Sequence, residues 1–158
     1  MIRGIHHVAV NTADLDRLYR FYVDVIGFKP TIDEYRWKNE PEIDRLIGLK
    51  HSVARTRMLK AGNCYFELFE YEAPAARDTA PLRPCDHGYT HFSLDVTDIE
   101  AEHKRLVAAG MEFFDERLGG GGDLIALYGK DPDGNIIEIQ QTSPEHGFSM
   151  AQLEAVKF

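Results

Sequence analysis

Two histidines and two glutamates stand at matching places of an internal repeat in this chain. Imidazole nitrogens together with carboxylate oxygens are a donor set that holds divalent cations. The repeat is read by aligning His7-Val8-Ala9-Val10-Asn11-Thr12-Ala13-Asp14-Leu15 with His91-Phe92-Ser93-Leu94-Asp95-Val96-Thr97-Asp98-Ile99, an offset of 84 residues that keeps the His-to-Asp spacing at seven. Each half then closes on Gly-Asn and an apolar strand bearing one carboxylate, Gly62-Asn63-Cys64-Tyr65-Phe66-Glu67-Leu68 in the first and Gly134-Asn135-Ile136-Ile137-Glu138-Ile139 in the second. Side chains alternate across a strand. Val8 and Val10, Phe92, Leu94 and Val96, Phe66 and Leu68, and Ile137 and Ile139 therefore form apolar faces that must pack on helices. His7, Glu67, His91 and Glu138 fall on the opposite faces. Taken singly, a strand histidine reads as an ordinary hydrogen-bonded residue and a strand glutamate as a solvated one. A buried carboxylate is costly unless it is paired or bound to a cation, and the repetition of His with Glu makes chelation the evident use of the four.

Helices have to hold these strands. In the first half Leu15, Leu18, Phe21, Tyr22, Val25 and Ile26 follow helical spacing, with Asp14 as N-cap and Gly27 as stop. In the second, Ile99, Leu106 and Val107 share a face, Asp98 is the cap and Gly110 the stop. The order in each half is strand, helix, further strands. Glu72 to Asp86, with Pro74, Pro81, Pro84 and four alanines, suits neither helix nor central strand and reads as a linker. This sets a first module at about residues 3–71, a linker at about 72–86, a second module at about 87–142 and a tail at 143–158. The tail is expected to form a short helix after Pro144 carrying Met150, Leu153 and Val156. Asp33 to Leu49 is irregular, with Trp37, Pro41 and a short helix around Ile43, Leu46 and Ile47.

The length, 158 residues, is that of one domain. With 44% hydrophobic and 28% charged residues the composition is that of a soluble globular protein, and no apolar run approaches the roughly 18 residues of a membrane span. A formal charge of −8 disfavours nucleic acid and anionic membrane as partners and leaves a small diffusible molecule as the expected one. Met1-Ile2-Arg3-Gly4 runs directly into a strand pattern without the features of a signal peptide, so a cytoplasmic location is expected. Cys64 and Cys85 have no metal-type spacing and are expected to be reduced and structural.

The segments His7 to Gly27, Tyr65-Phe66-Glu67-Leu68, His91 to Asp98 and Asp131-Pro132-Asp133-Gly134-Asn135-Ile136-Ile137-Glu138 resemble the vicinal oxygen chelate superfamily. That superfamily includes glyoxalase I, methylmalonyl-CoA epimerase, fosfomycin-resistance enzymes, extradiol dioxygenases and bleomycin-resistance proteins, and the resemblance covers nearly the whole chain. It implies an α+β fold of two tandem βαβββ modules forming a cupped mixed sheet around a metal, often in a homodimer. It also implies His7, Glu67, His91 and Glu138 as ligands. Such a set suits one divalent ion, Ni, Co, Zn, Mn or Fe(II), and no nucleotide cofactor is expected. His6 has the parity of Val8 and is assigned to packing or a hydrogen bond, while His51, His87, His103 and His146 are taken as surface or loop residues. The run Gly119 to Gly122 lacks the Lys-Ser/Thr of a phosphate loop and is read as a flexible loop gating a pocket.

The leading functional expectation is a glyoxalase-like lyase or isomerase that transfers a proton next to a metal-bound carbonyl. Glu67 and Glu138 are its candidate bases. Glyoxalase I-like proteins carry a basic residue four places after the first ligand, where this chain has Asn11, so the substrate is expected not to be a glutathione adduct. Tyr65, Phe69 and Tyr71 share the parity of Glu67 and form an aromatic wall suited to a ring-bearing or acyl substrate, with core or dimer packing as the equal alternative. Arg55 and Arg57 share a strand face; Arg57 is a candidate for a substrate carboxylate or phosphate, against an ordinary solvated edge. Two other readings stay open. One is an Fe(II) extradiol-type dioxygenase using His7, His91 and Glu138, and the other is a non-catalytic drug-binding protein.

Overall fold

Both halves of the repeat begin their helices in the same way. Asp14 accepts a hydrogen bond from the Arg17 amide at 3.0 Å and Asp98 one from the Ala101 amide at 3.0 Å, each satisfying one of the free N–H groups of a first helical turn. A second free amide in each helix is taken by a strand side chain three residues past the candidate ligand. Leu15 N–H donates to Glu70 at 2.7 Å, and Ile99 N–H donates to Gln141 at 2.8 Å. Helix α1 (Leu15–Arg20) continues as a wider π-helical turn over Phe21–Ile26 and ends at Gly27, whose left-handed φ of 96° closes the helix. Helix α3 (Ile99–Ala108) stays α-helical to its end.

These elements belong to a computed structural model that describes residues 2–77 and 79–153; the chain falls into two units, Met1–Ala80 and Pro81–Phe158. In the first unit β1 (His7–Asn11) runs parallel to β5 (Cys64–Ala73), which pairs antiparallel with β4 (Val53–Ala61). The outer edge of β4 is covered by two short strands, β2 (Lys29–Pro30) and β3 (Tyr35–Lys38). The second unit repeats the plan. There β6 (His91–Asp95) lies parallel to β10 (Ile136–Thr142), β10 pairs with β9 (Leu124–Lys130), and β7 (Glu112–Phe113) and β8 (Gly119–Gly121) share the outer edge of β9. The fold is thus α+β, two tandem βαβββ modules in which the second strand of each is broken in two, with mixed sheets.

The apolar faces pack as the parity requires. Leu15, Leu18, Tyr22, Leu59, Phe66 and Leu68 are buried in the first unit, where the Tyr22 and Phe66 ring centres are 4.5 Å apart, and Ile99, Leu106, Leu127, Ile137 and Ile139 are buried in the second. Val107 departs from its assignment: it is half-exposed on α3. His103 also departs, lying on α3 with its ring against Phe113 rather than in a loop.

The first unit is longer between its two candidate ligands, 60 residues from His7 to Glu67 against 47 from His91 to Glu138. The segment Asp33 to Leu49 supplies the surplus, as β3 and then helix α2 (Pro41–Ile47), which starts at a proline and stops at Gly48 in the left-handed region. Leu46 on α2 is exposed, so this helix is not held by an apolar stripe. It is held instead through Asp44, which accepts from the His51 and Ser52 amides and the Ser52 hydroxyl; that hydroxyl in turn accepts from Trp37 Nε1 at 2.8 Å. The run Gly119–Gly121 is a strand, not the expected loop. Of the expected C-terminal helix, a 3₁₀ turn over Met150–Gln152 forms, and Val156 lies outside the described residues. No helix among the described residues is long and apolar enough to cross a membrane.

Candidate metal centre

Each unit brings one histidine and one glutamate together with the same geometry. His7 Nε2 lies 3.5 Å from Glu67 Oε2, and His91 Nε2 lies 3.5 Å from Glu138 Oε2. Two donors about 2.1 Å from one ion at a near right angle are roughly 3 Å apart, so either pair takes up an ion with a small adjustment. The remaining ring nitrogens are held as well. A lone pair on Nε2 requires the proton on Nδ1; His6 Nδ1 stands 2.9 Å from His7 Nδ1, and Thr90 Oγ1 stands 3.0 Å from His91 Nδ1, placed to accept it. Strand alternation alone would send each preceding side chain to the other face. Because β1 and β6 begin at the histidines themselves, His6 and Thr90 precede the regular pleat and turn back to their neighbours.

The carboxylates are each met by a hydroxyl, but from different places. Thr56 Oγ1 donates to Glu67 Oε1 at 3.2 Å, and the Tyr128 phenol, directly across from Glu138 in the ladder, hydrogen-bonds Glu138. Burial, then the Glu138 charge and this hydrogen bond, push the Tyr128 phenol up, which keeps it a donor. The Tyr128 ring also stands edge-on to His91, with centres 5.1 Å apart. Among the described residues no three or more His, Cys, Asp or Glu side chains gather to hold a metal, so each unit by itself supplies two of the four expected donors.

Among the expected substrate residues, Asn11, Tyr65, Phe69 and Tyr71 share the face of Glu67, with Asn11 beside Phe69 and His7 beside Tyr65. Phe69 and Tyr71 pack against Trp37 and against each other, at ring-centre distances of 5.8 to 6.1 Å, and Tyr35 stacks on Trp37 at 6.0 Å. Burial, then the charge of Glu67, push the Tyr71 phenol up. Tyr65 is more exposed, and its ring lies 5.2 Å from His6. Arg57 is a correction. It pairs across the ladder with Leu68, which puts it on the helix face, away from Glu67. There Asp16 and Glu34 each lie 2.7 Å from its Nη2, and the guanidinium covers the Tyr19 ring. Arg55 on the same face is held by Glu70 at 2.8 Å and Asp16 at 3.1 Å. Neither arginine serves the His–Glu face. Cys64 and Cys85 are free thiols, Cys85 exposed, and burial pushes the Cys64 thiol up.

Sequence reasoning missed Thr56, Tyr128, Thr90 and Trp37. Tyr128 carried a signal, since it lies on the strand before the Gly134 turn, but its register depended on a turn whose hydrogen-bond plan had to be known. Asp131 sets that plan by accepting from the Asp133 and Asn135 amides and the Asn135 side chain.

The comparisons agree with this architecture. The chain belongs to the Glyoxalase/Bleomycin resistance protein/Dioxygenase superfamily, whose family model matches residues 4–139. It is 33% identical over 107 residues to a 2-epi-5-epi-valiolone epimerase from an Actinomyces species, a match that spans 66% of this chain and 58% of that relative. Its fold is similar to that of a glyoxalase family protein from Bacillus cereus, at 20% identity and a TM-score of 0.78, covering 90% of this chain and 95% of the other. A genomically encoded fosfomycin resistance protein from Listeria monocytogenes is similar in fold at 16% identity and a TM-score of 0.61, covering 90% and 96% of the two chains.

Proposed function

We propose that the protein is a divalent-metal-dependent isomerase or lyase that moves a proton next to a substrate carbonyl, with His7, Glu67, His91 and Glu138 as the ligands. The observation that carries this reading is the duplicated His–Glu pair, each with Nε2 facing a carboxylate oxygen and Nδ1 held from behind. A divalent ion bound there supplies a Lewis acid for the carbonyl oxygen and so acidifies the neighbouring C–H. Glu138 takes that proton onto a carboxylate oxygen. In an isomerisation Glu138 returns it to the adjoining carbon. In an epimerisation Glu138 keeps it and Glu67, entering as the carboxylic acid, delivers its own proton to the opposite face of the carbon, the two exchanging protons with water before the next turnover. The protein's own hydroxyls, Thr56 and Tyr128, keep one oxygen of each carboxylate in place while the other works. The epimerase relative supports proton transfer at carbon as the reaction type. The substrate is a small molecule without glutathione, and the assembly is a homodimer.

The test is elemental analysis of protein purified without chelators, beside the His7→Ala/Glu138→Ala double variant. About one Ni, Co, Zn or Mn per chain, lost in the variant, is expected. Glu138→Gln is expected to abolish proton–deuterium exchange at the carbon beside the carbonyl. Absence of metal after reconstitution, or iron accompanied by dioxygen uptake, overturns the proposal.

A further inference from the structure

The two units differ most on their outer edge strands. In the first, β3 places Tyr35 opposite Thr56 and Trp37 opposite Ala54, and their rings cover that end of the Glu67 face. In the second, β8 places Gly119 opposite Ala126 and Gly121 opposite Leu124, at the corresponding rungs. Glycine is enforced at the middle position: Gly120 has a φ of +87°, and a Cβ there would stand 2.5 Å from the Leu124 carbonyl oxygen. The glycine run is therefore a bare edge, and it leaves the sheet face beside it uncovered.

What it leaves is a groove of about 490 Å³ on the Glu138 face, floored by Leu124, Ala126 and Tyr128 and walled by Pro84 and Phe114. This volume is within the range of small-ligand sites. The lining is almost wholly apolar. Asp115 and Arg117 also line it, but they are joined to each other at 2.9 Å and offer no unbalanced charge. The Tyr128 hydroxyl is given to Glu138, so the floor presents a ring rather than a donor.

We propose that this groove seats the apolar end of the substrate, an aryl or branched alkyl group on the carbon skeleton whose carbonyl-adjacent proton Glu138 removes. The assignment rests on the reaction proposed above, and it excludes a polyhydroxylated skeleton, whose hydroxyls would be left without partners against this lining. Tyr128 links the two, touching the seat with its ring and the base with its hydroxyl.

The test titrates the full chain, stripped of metal and reconstituted, with α-hydroxyacetophenone and with dihydroxyacetone, followed by saturation-transfer NMR. Two variants separate groove from fold: Ala126→Phe fills the floor, and Phe114→Ser removes a half-exposed wall whose loss leaves the ladder intact. The aryl ketone is expected to bind the stripped protein, each variant to weaken it by roughly tenfold or more, and dihydroxyacetone to show no saturation transfer. Equal binding of the two ketones, or unchanged aryl ketone binding in both variants, overturns the assignment. A protein that takes up no metal yet binds the aryl ketone in a groove-dependent way refutes the proposed reaction and upholds the seat.

Discussion

Replacing Thr90 by valine tests how the site is held without touching a proposed ligand. Valine is nearly isosteric, so the strand start is preserved and one hydroxyl is removed. That hydroxyl stands 3.0 Å from His91 Nδ1, the nitrogen that must carry the proton if Nε2 is to face Glu138. Losing a partner of this kind costs roughly 10- to 100-fold in metal affinity. The His91 side chain is 31% exposed, so water replaces part of the lost acceptor, which sets the expected loss near the lower bound, about tenfold or ~1.4 kcal/mol. Competition of stripped protein against a chromophoric chelator for Zn(II) at neutral pH measures it directly. Thr90→Ser should restore the wild-type value, and the thermal stability of the stripped Thr90→Val protein should stay within about 0.5 kcal/mol, as for a surface substitution. A Thr90→Val protein that binds Zn(II) as tightly as wild type would refute the argument that Nδ1 is held for ligation.

Gly120→Ala meets both a left-handed φ and the Leu124 carbonyl oxygen, and is expected to lower stability by about 1–3 kcal/mol or more. Gly121→Ala, whose Cβ meets open space, should be near neutral, and thermal melts of the pair check the contrast. The buried-edge ion cluster predicts an acid response. A hydrogen bond from Arg55 holds the Glu70 carboxyl below its ordinary range, and one from Arg57 does the same for Asp16. A depressed folded pKa means that the unfolded chain takes up its proton first, so this stability is present above a pH of about 4 and is lost as pH falls towards the folded values. Glu70 carries most of the effect, since its side chain is 21% exposed against 46% for Asp16, where solvent screens the pair. In Arg55→Met the fall in urea-midpoint stability over that acid range should flatten; an unchanged slope would exclude the pair as its source.

The repeat and the face assignments were legible because each follows from local chemistry. Asp14 and Asp98 are caps by residue type, and a period of two fixes the faces of β1, β5, β6 and β10 once a single apolar residue is placed. That Arg55 and Arg57 share a face is legible from their spacing, but which face is not, because it depends on the pairing of β4 with β5 rather than on their own strand. Across the Gly62-Asn63 turn Arg57 meets Leu68, and that contact decides its side. The glycine run reads as a loop in sequence because glycine carries no strand preference of its own; β8 exists through the ladder offered by β9. Asp33 to Leu49 was opaque for a related reason. Its order comes from one polar chain, Asp44 to Ser52 to Trp37, that no periodicity announces.

The duplication keeps the donors and changes their surroundings. In the first unit the hydroxyl that meets the glutamate comes from Thr56, and the rung nearer the turn carries Met58; in the second the corresponding rungs are Ala126 and Tyr128, so the hydroxyl has moved by two residues along the strand. That shift has a steric consequence. A threonine reaches its glutamate diagonally and leaves room for Tyr35 and Trp37 to close over the sheet, whereas a tyrosine directly opposite Glu138 covers it with a ring and leaves the Ala126 rung empty beside glycine. The proposed chelation asks the two halves to be alike, and the two His–Glu distances are, at 3.5 Å each. Binding one unsymmetrical substrate asks them to differ. On the proposed reading the first unit spends its outer edge on rigidity and the second on access, which makes Glu138, rather than Glu67, the carboxylate that meets the substrate's proton.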